Sequence, residues 1–321
     1  MQGGRKNGNG RKGRPGRFRW NRLVLLIAGA ALTITGAVKL IGYGSDYISS
    51  RRTADELRQI YHQDSQDSMP EAPAAPMESP VPVMPSPTAQ PASPVIAASP
   101  APMLAPMPYP DNPQLKTNSQ FKALQTENRD IVGWLKIEKL LDEPVVQRDD
   151  VFYMDHDALG EKNVNGAIFL DSAVSLKSRP YSLILYGHNM KTGAMFGSLR
   201  NYENASFYHN NPFISFDSMY EKGCYVIFSV TSISTEKADS QYMDFFSLLS
   251  SNVQKRQEMI NHLMSMSVHT CTVDVQPEDQ LLFLVTCLDK DTDRRLVAAR
   301  RIRDWENEKE LKLLVEESRK R

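Results

Sequence analysis

Apolar and polar positions alternate in three different ways along this chain, and each predicts a different kind of structure. From Leu23 to Val38 the sequence reads LVLLIAGAALTITGAV, sixteen residues without a charge, followed by Lys39 and LIGYG. Sixteen falls short of the ~20 apolar residues that cross a bilayer, but Lys39 can snorkel and extend the span to about Tyr43. Residues 46–63 then place Leu57, Ile60 and Tyr61 at helical spacing, which predicts a short helix beside the membrane. From residue 115 onward the pattern changes to short apolar runs separated by polar and glycine-bearing turns. Ile131–Ile137, Gly166–Leu170, Ser182–Tyr186, Tyr225–Ile233, Leu281–Thr286 and Leu296–Ile302 have strand lengths and β-branched or aromatic content. Helical patterns stand at 117–127, with Thr117 and Gln120 as a capping box, and at 245–249 and 253–266, the latter capped by Asn252. A last amphipathic helix is headed by Asp304 and carries Leu311, Leu314 and Val315. Many strands with few helices predict a mostly β domain, a closed barrel or a sandwich with peripheral helices.

Charge fixes the topology expected of the first segment. Lys+Arg and Asp+Glu number 38 each, a net charge of zero, yet residues 1–22 hold eight basic residues and no acid. The remainder therefore carries a net charge of −8, and the zero is an average over unlike segments. Positive flanks stay in the cytoplasm, so 1–22 is read as a cytoplasmic tail and 23–43 as a signal anchor bracketed by Trp20 and Tyr43. A cleaved signal peptide has the same basic start and apolar centre, but VKLIGYGSDY offers no small-residue cleavage site. Basic arms also bind nucleic acid; here the apolar span follows at once, so topology accounts for the charge and no nucleic-acid partner is expected.

Proline divides the rest of the chain. Fifteen of the 20 prolines lie between Pro70 and Pro113. Such a stretch lacks backbone donors and favours polyproline II, and its 44 residues at ~3.1 Å each reach about 130 Å when extended. Read as a stiff spacer, it lifts a domain off the membrane; an incidental low-complexity linker reads the same. The predicted organisation is a tail (1–22), an anchor (23–43), a juxtamembrane helical segment (44–69), a Pro-rich linker (70–114) and one folded domain (115–321).

The folded domain has no CxxC, HExxH, P-loop or dinucleotide fingerprint, so no metal or nucleotide chemistry is indicated. Its three cysteines cannot all pair within one chain. Cys224 and Cys271 read as strand-interior hydrophobes, or alternatively as one extracellular disulfide. Cys287 differs, because it ends the apolar run LLFLVTC where polar LDKDTDRR begins. Among six histidines, His188 stands out: SLILYG delivers it to a loop mouth, followed by Asn189, Met190 and Lys191. A strand-end histidine is most often a structural hydrogen-bonder; a strand-end cysteine followed by Arg294-Arg295 points instead to thiol chemistry.

These segments together carry a family resemblance. YGHNMKTGAMFGSL (186–199), Thr286-Cys287 and Arg295-Leu296-Val297 closely resemble the sortases, cysteine transpeptidases of the Gram-positive cell surface. The form Y-G-H-N-M-K is that of class B. FKALQTENRDIVGWLKI, PVVQ (144–147), NGAIFLD (165–171) and FYHNNPFISF (207–216) fit the same class, so the resemblance spans most of 115–303. It implies a closed sortase-like β-barrel, with His188, Cys287 and Arg295 as catalytic residues and Arg294 as the competing neighbour. The family's groove pattern D-N-x-x-Y-L reads here Asp149-Asp150-Val151-Phe152-Tyr153-Met154, which implies Asp150 and Met154 as substrate contacts, with Tyr186 and Thr286 beside them. Asp150 and Met154 depart from the pattern, so the peptide preference is expected to differ; Asp289 is implied in a supporting role.

The resemblance further implies attack of Cys287 on a Thr–X bond in a C-terminal sorting signal, a thioester acyl-enzyme, and transfer to an amine. The partners are surface proteins bearing that signal and a peptidoglycan-precursor amine or a pilin lysine, at the membrane and without a cofactor. A free thiol with pKa ~8.5 is only a few per cent ionised at neutral pH, which is why a histidine partner is needed. Two other readings stay open at this level: a surface thiol peptidase or amidase using water, and a non-enzymatic module on a stalk. His188 precedes Cys287 by 99 residues, whereas papain-like enzymes place the cysteine first.

Overall fold

A computed structural model describes residues 17–66, 102–287 and 293–321, and for 17–26, 29, 30, 64–66 and Cys287 the backbone alone. The short apolar runs become strands of one closed barrel. In chain order these are β1 (Ile131–Ile137), β2 (Leu141–Val146), β3 (Ile168–Leu170), β4 (Ser182–Gly187), β5 (Phe213–Ser218), β6 (Cys224–Ser234), β7 (Leu281–Cys287) and β8 (Asp293–Arg301). Around the barrel the order is β1-β2-β3-β4-β7-β8-β6-β5, closed by the antiparallel pairing of β1 with β5. Closure leaves no free sheet edge. Of the two architectures the pattern allowed, the structure is the barrel.

Two of these strands escape the sequence pattern, each for a local reason. β2 contains Pro144, which reads as a strand breaker. Here it is paired on one side only, with Trp134 of β1, because β3 begins opposite Val145. β5 follows Pro212 directly, and its Ile214 and Phe216 turn inward while Ser215 faces out, too short an alternation to register as a run.

The helices are α1 (Arg17–Gln66), α2 (Ser119–Glu127), α3 (Ala205–Asn210), α4 (Phe245–Leu248), α5 (Val253–Met266) and α6 (Glu308–Glu316). Asn252 caps α5 as expected, its Oδ1 accepting from the Lys255 amide at 3.0 Å. The capping box at α2 does not form: the helix starts after Asn118, and the buried Gln120 amide donates instead to the Tyr61 carbonyl. α6 starts after Asn307 and not at Asp304, because the Asn307 carboxamide accepts from the Glu310 amide at 2.9 Å.

The chain divides into a unit ending at Ile48 and a second from Ser49 to Arg321. In the first, the described residues form the early part of α1, where Leu32, Leu40 and Ile41 are more than 70% exposed. Among the described residues no helix is long and apolar enough to cross a membrane. The span expected over 23–43 falls partly on residues of which only the backbone is described.

In the second unit the core has two parts. The barrel interior is filled by inward residues such as Leu135, Leu185, Phe228, Leu284 and Val297. A second cluster outside β1 joins Leu57 and Tyr61 of α1 to Phe121 and Leu124 of α2, Trp134 and Tyr153. Tyr61 stacks on Trp134 with ring centroids 4.3 Å apart, and its hydroxyl donates to Asp217 at 2.6 Å. Trp134 Nε1 donates to Asp142, while Arg58 donates twice to the Asp142 carbonyl. The helical pattern expected over 46–63 is thus the end of α1, and it is part of the fold's core.

The chain returns to the same unit after residue 101: Leu104 donates to the Ser251 carbonyl, and the buried Tyr109 donates to the Leu176 carbonyl. The Pro-rich stretch is therefore bounded at both ends by residues of one compact unit.

Two stability outcomes follow. Leu57 is 1% exposed, so Leu57→Ala should lower the unfolding free energy of the whole chain by about 2–5 kcal/mol. Denaturant melts read this; an unchanged midpoint would mean the helix end is not integral to the barrel. Glu143 lies against Arg58, Asp142 and Asp55, and burial above all pushes its carboxyl from the ordinary 4.5 up to about 7. Between those values the unfolded state binds fewer protons than the folded one, so stability falls as pH rises through that window. Glu143→Gln should then stabilise by on the order of 2 kcal/mol at pH 8 and leave stability near pH 4 unchanged, as paired thermal melts would show.

Candidate active site

The site lies where β4, β7 and β8 meet. β4 and β7 run parallel in strict register, Tyr186 beside Val285 and Gly187 beside Thr286. β7 and β8 run antiparallel, with Thr286 opposite Arg295 and Cys287 opposite Arg294. His188 follows the last residue of β4, and Cys287 is the last residue of β7. One residue past the final pair of β4 with β7, the histidine and the cysteine thus come from neighbouring strand ends. The segment 288–292, with Asp289, lies outside the described residues, as does the Cys287 side chain.

A groove of about 210 Å³ opens at these ends. Tyr186 and Gly187 line it from β4, with His188 just after them, Phe169 from β3, Val285 from β7 and Arg294 from β8, and Asp150 and Met154 from the segment after β2. Of the residues expected at the site, the structure brings together His188, Asp150, Met154 and Tyr186, and adds Arg294. Arg295 is elsewhere: its guanidinium forms an ion pair with Glu203 and does not line the groove. Strand geometry is the reason, since neighbours along a strand face opposite ways and Arg294 is the one opposite Cys287. Thr286, opposite Arg295, is fully buried and likewise does not line the groove.

His188 is fixed from two directions. Its carbonyl accepts from the Phe196 amide at 3.0 Å, and Phe196 packs where a side chain at Gly187 would be, 2.9 Å from an added Cβ. Its Nε2 lies 2.6 Å from the Met154 carbonyl. A carbonyl only accepts, so Nε2 carries the proton and Nδ1 is left to exchange protons with a reactant. Met154 is itself set by a short 3-10 turn, Phe152–Met154, whose entry is held by Asp149: the carboxylate accepts from the Val151 and Phe152 amides at 2.9 and 2.6 Å. Those amide bonds lower the Asp149 carboxyl below its ordinary value.

The groove wall is acidic on one side. Asp150 accepts from both the amide and the hydroxyl of Ser172, at 2.8 and 2.7 Å. Tyr186 donates to Asp171 at 2.8 Å; burial first, and then that carboxylate, hold its hydroxyl well above the usual tyrosine range, so it acts as a neutral donor. Arg294 supplies positive charge in the same groove.

The other two cysteines are free thiols, so the alternative of a disulfide between them is not realised. Cys224 opens β6 half-buried, and burial, then the Glu308 carboxylate 3.6 Å away, push its thiol up to about 12. Cys271 lies in the irregular segment after α5, and not inside a strand; burial raises its pKa too. Both are held as thiols, the reverse of what a nucleophile needs.

Comparison with known proteins agrees with this geometry. The sortase domain family model matches residues 135–302. Over 187 residues the chain is 33% identical to sortase B of Staphylococcus aureus, covering 57% of this chain and 74% of that protein. It is 30% identical over 189 residues to sortase B of Listeria monocytogenes, covering 56% and 72%. The structure of a Staphylococcus aureus sortase B–substrate complex superposes with a TM-score of 0.59, covering 81% of this chain and 99% of that one; at 24% identity this likeness is one of fold. A closed eight-stranded barrel, a histidine and a cysteine at neighbouring strand ends, and these relatives lead to one conclusion: the chain belongs to the sortase family of cysteine transpeptidases, class B.

Proposed function

We propose that this sortase is held in the membrane by residues 23–43 and transfers surface proteins, cut at a Thr–X bond of their sorting signal, to an amine acceptor. Cys287 is the nucleophile, His188 the acid and base, and Arg294 the cation that meets the peptide carbonyl. The observation that carries this reading is the groove at the β4, β7 and β8 ends, with His188 and Arg294 in one wall beside the strand that ends in Cys287. The apolar, exposed side chains on α1 between Ile27 and Tyr43, preceded by eight positive charges, support the anchor.

The chemistry balances with these residues alone. The Cys287 thiolate attacks the threonine carbonyl carbon, forming a C–S bond while the carbonyl electrons move to oxygen. Arg294, which keeps its charge, offers guanidinium donors to that oxyanion. Collapse breaks the C–N bond, and the departing amine takes the proton from His188 Nδ1, leaving a thioester. Before the attack His188 Nδ1 takes the proton of the Cys287 thiol, while Nε2–H stays bonded to the Met154 carbonyl. In the second half His188 Nδ1 takes a proton from the incoming amine, which attacks the thioester and expels the Cys287 thiolate. The acceptor is a peptidoglycan-precursor amine or a pilin lysine. Asp150 and Met154 contact the peptide, and their departure from the family pattern underlies a sorting motif of this chain's own.

Intact mass spectrometry of the whole chain with candidate sorting peptides and an amine tests this. A transfer product is expected, and Cys287→Ala should reduce it at least about a thousandfold; product surviving that substitution would sink the reading. Hydrolysis without transfer would make water the acceptor and the protein a thiol peptidase. The two arginines separate by kinetics. Arg294→Ala should lower kcat/KM by about a hundredfold or more, while Arg295→Ala, which loses an ion pair to a half-exposed Glu203, should cost less than about fivefold. The opposite order would return the role to Arg295.

A further inference from the structure

We infer that Ser50 and Thr53, near the end of α1, are positioning residues for His188, acting through the segment 155–166. The inference rests on the proposal that His188 is the acid and base. It starts from a buried polar cluster that the barrel does not complete by itself. Asp157, Asn163 and Asn165 are each at most 3% exposed, and all three hydrogen-bond with hydroxyls of α1. Thr53, itself 8% exposed, donates to Asp157 Oδ2 at 3.1 Å. Ser50 donates to Asn163 Oδ1 and accepts from Asn165 Nδ2, both at 3.0 Å.

These carboxylate and carboxamide groups also fold the segment that carries them. Asp157 Oδ1 accepts from the Leu159 and Glu161 amides, and Asn163 Oδ1 from the Asn165 amide. The Asn163 backbone closes the turn, donating to the Asp155 carbonyl and accepting from Gly166. A hydroxyl removed from such a cluster leaves a buried polar atom short of a partner, so the segment must shift to recover it.

The shift would reach the imidazole directly. Gly166 ends the segment with φ +61°, and a Cβ there would lie 2.6 Å from the Tyr153 carbonyl, 2.9 Å from the Met154 carbonyl and 3.1 Å from His188 Cδ2. Ala167 donates to the Tyr153 carbonyl at 2.9 Å, so the segment's exit is bonded to the residue before Met154. The backbone at Gly166 therefore packs against both the ring and the carbonyl that fixes the Nε2 proton. α1 hydroxyls set the segment, the segment sets the Met154 carbonyl, and the carbonyl sets which histidine nitrogen is free.

The test reads the imidazole itself. In ¹⁵N NMR of the whole chain, with His188 assigned by its loss in His188→Gln, the neutral ring should be the single Nε2–H tautomer. In Ser50→Ala/Thr53→Val the Nδ1–H form should appear, and alkylation of Cys287 by iodoacetamide, mapped by mass spectrometry, should slow about tenfold. Thr53→Ser keeps the hydroxyl and should retain the wild-type tautomer, whereas Thr53→Val should not; these two single variants suffice where the double variant melts early. A single Nε2–H tautomer persisting in the variants without the hydroxyls overturns the inference. So does an equal tautomer change in Thr53→Ser, which would mark a packing effect unrelated to the hydroxyl. Neither readout requires turnover, so failure here is distinct from failure of the proposed transpeptidation, which the Cys287→Ala product assay decides.

Discussion

The register of three adjacent strands is the constraint on which the site depends. β4 and β7 are parallel, so their carboxyl ends arrive at the same rim of the barrel, and β8 returns from that rim antiparallel to β7. A slip of one residue in the β7–β8 pairing would exchange Arg294 for Arg295 in the groove and turn every following side chain to the other face. The pairing resists such a slip because both faces are committed: Leu284, Val297 and Thr286 are buried on one face, and Phe283, Val285 and Leu296 on the other. Glu203 reinforces this register by taking the guanidinium on the far side. The candidate residues thus sit at the last rungs of an ordinary barrel ladder.

The sequence makes the strands that carry the site legible, because β4, β6, β7 and β8 are long apolar runs ending in polar residues. His188 and the groove residues Asp150, Met154 and Tyr186 are legible through the motifs around them. The choice between Arg294 and Arg295 is not, since two adjacent arginines differ only in face, and face depends on the pairing with β7, which sets Cys287 opposite Arg294 and Thr286 opposite Arg295. Thr286 is misjudged for the same reason, as a neighbour of Cys287 along the chain that shares none of the groove. β2 and β5 are hidden by Pro144 and by brevity. The sequence matches Asp149 only to the first position of the groove pattern, and its task emerges from the structure: its carboxylate organises the turn that presents Met154.

Helix α1 is the other element whose meaning lies in tertiary contacts. Leu57, Ile60 and Tyr61 show helical spacing, but nothing in that spacing names Trp134 as the surface Tyr61 stacks on, or Asp142 as the partner of Arg58. Each contact is modest; together they join an aromatic stack, a buried leucine and a charge cluster on one face of the helix, whose loss would expose β1 on its outer side.

This docking changes what the Pro-rich stretch can do. Because residues on both sides of it belong to the same compact unit, its ends are held by that unit, and a change in its length alters only the entropy of closing a loop.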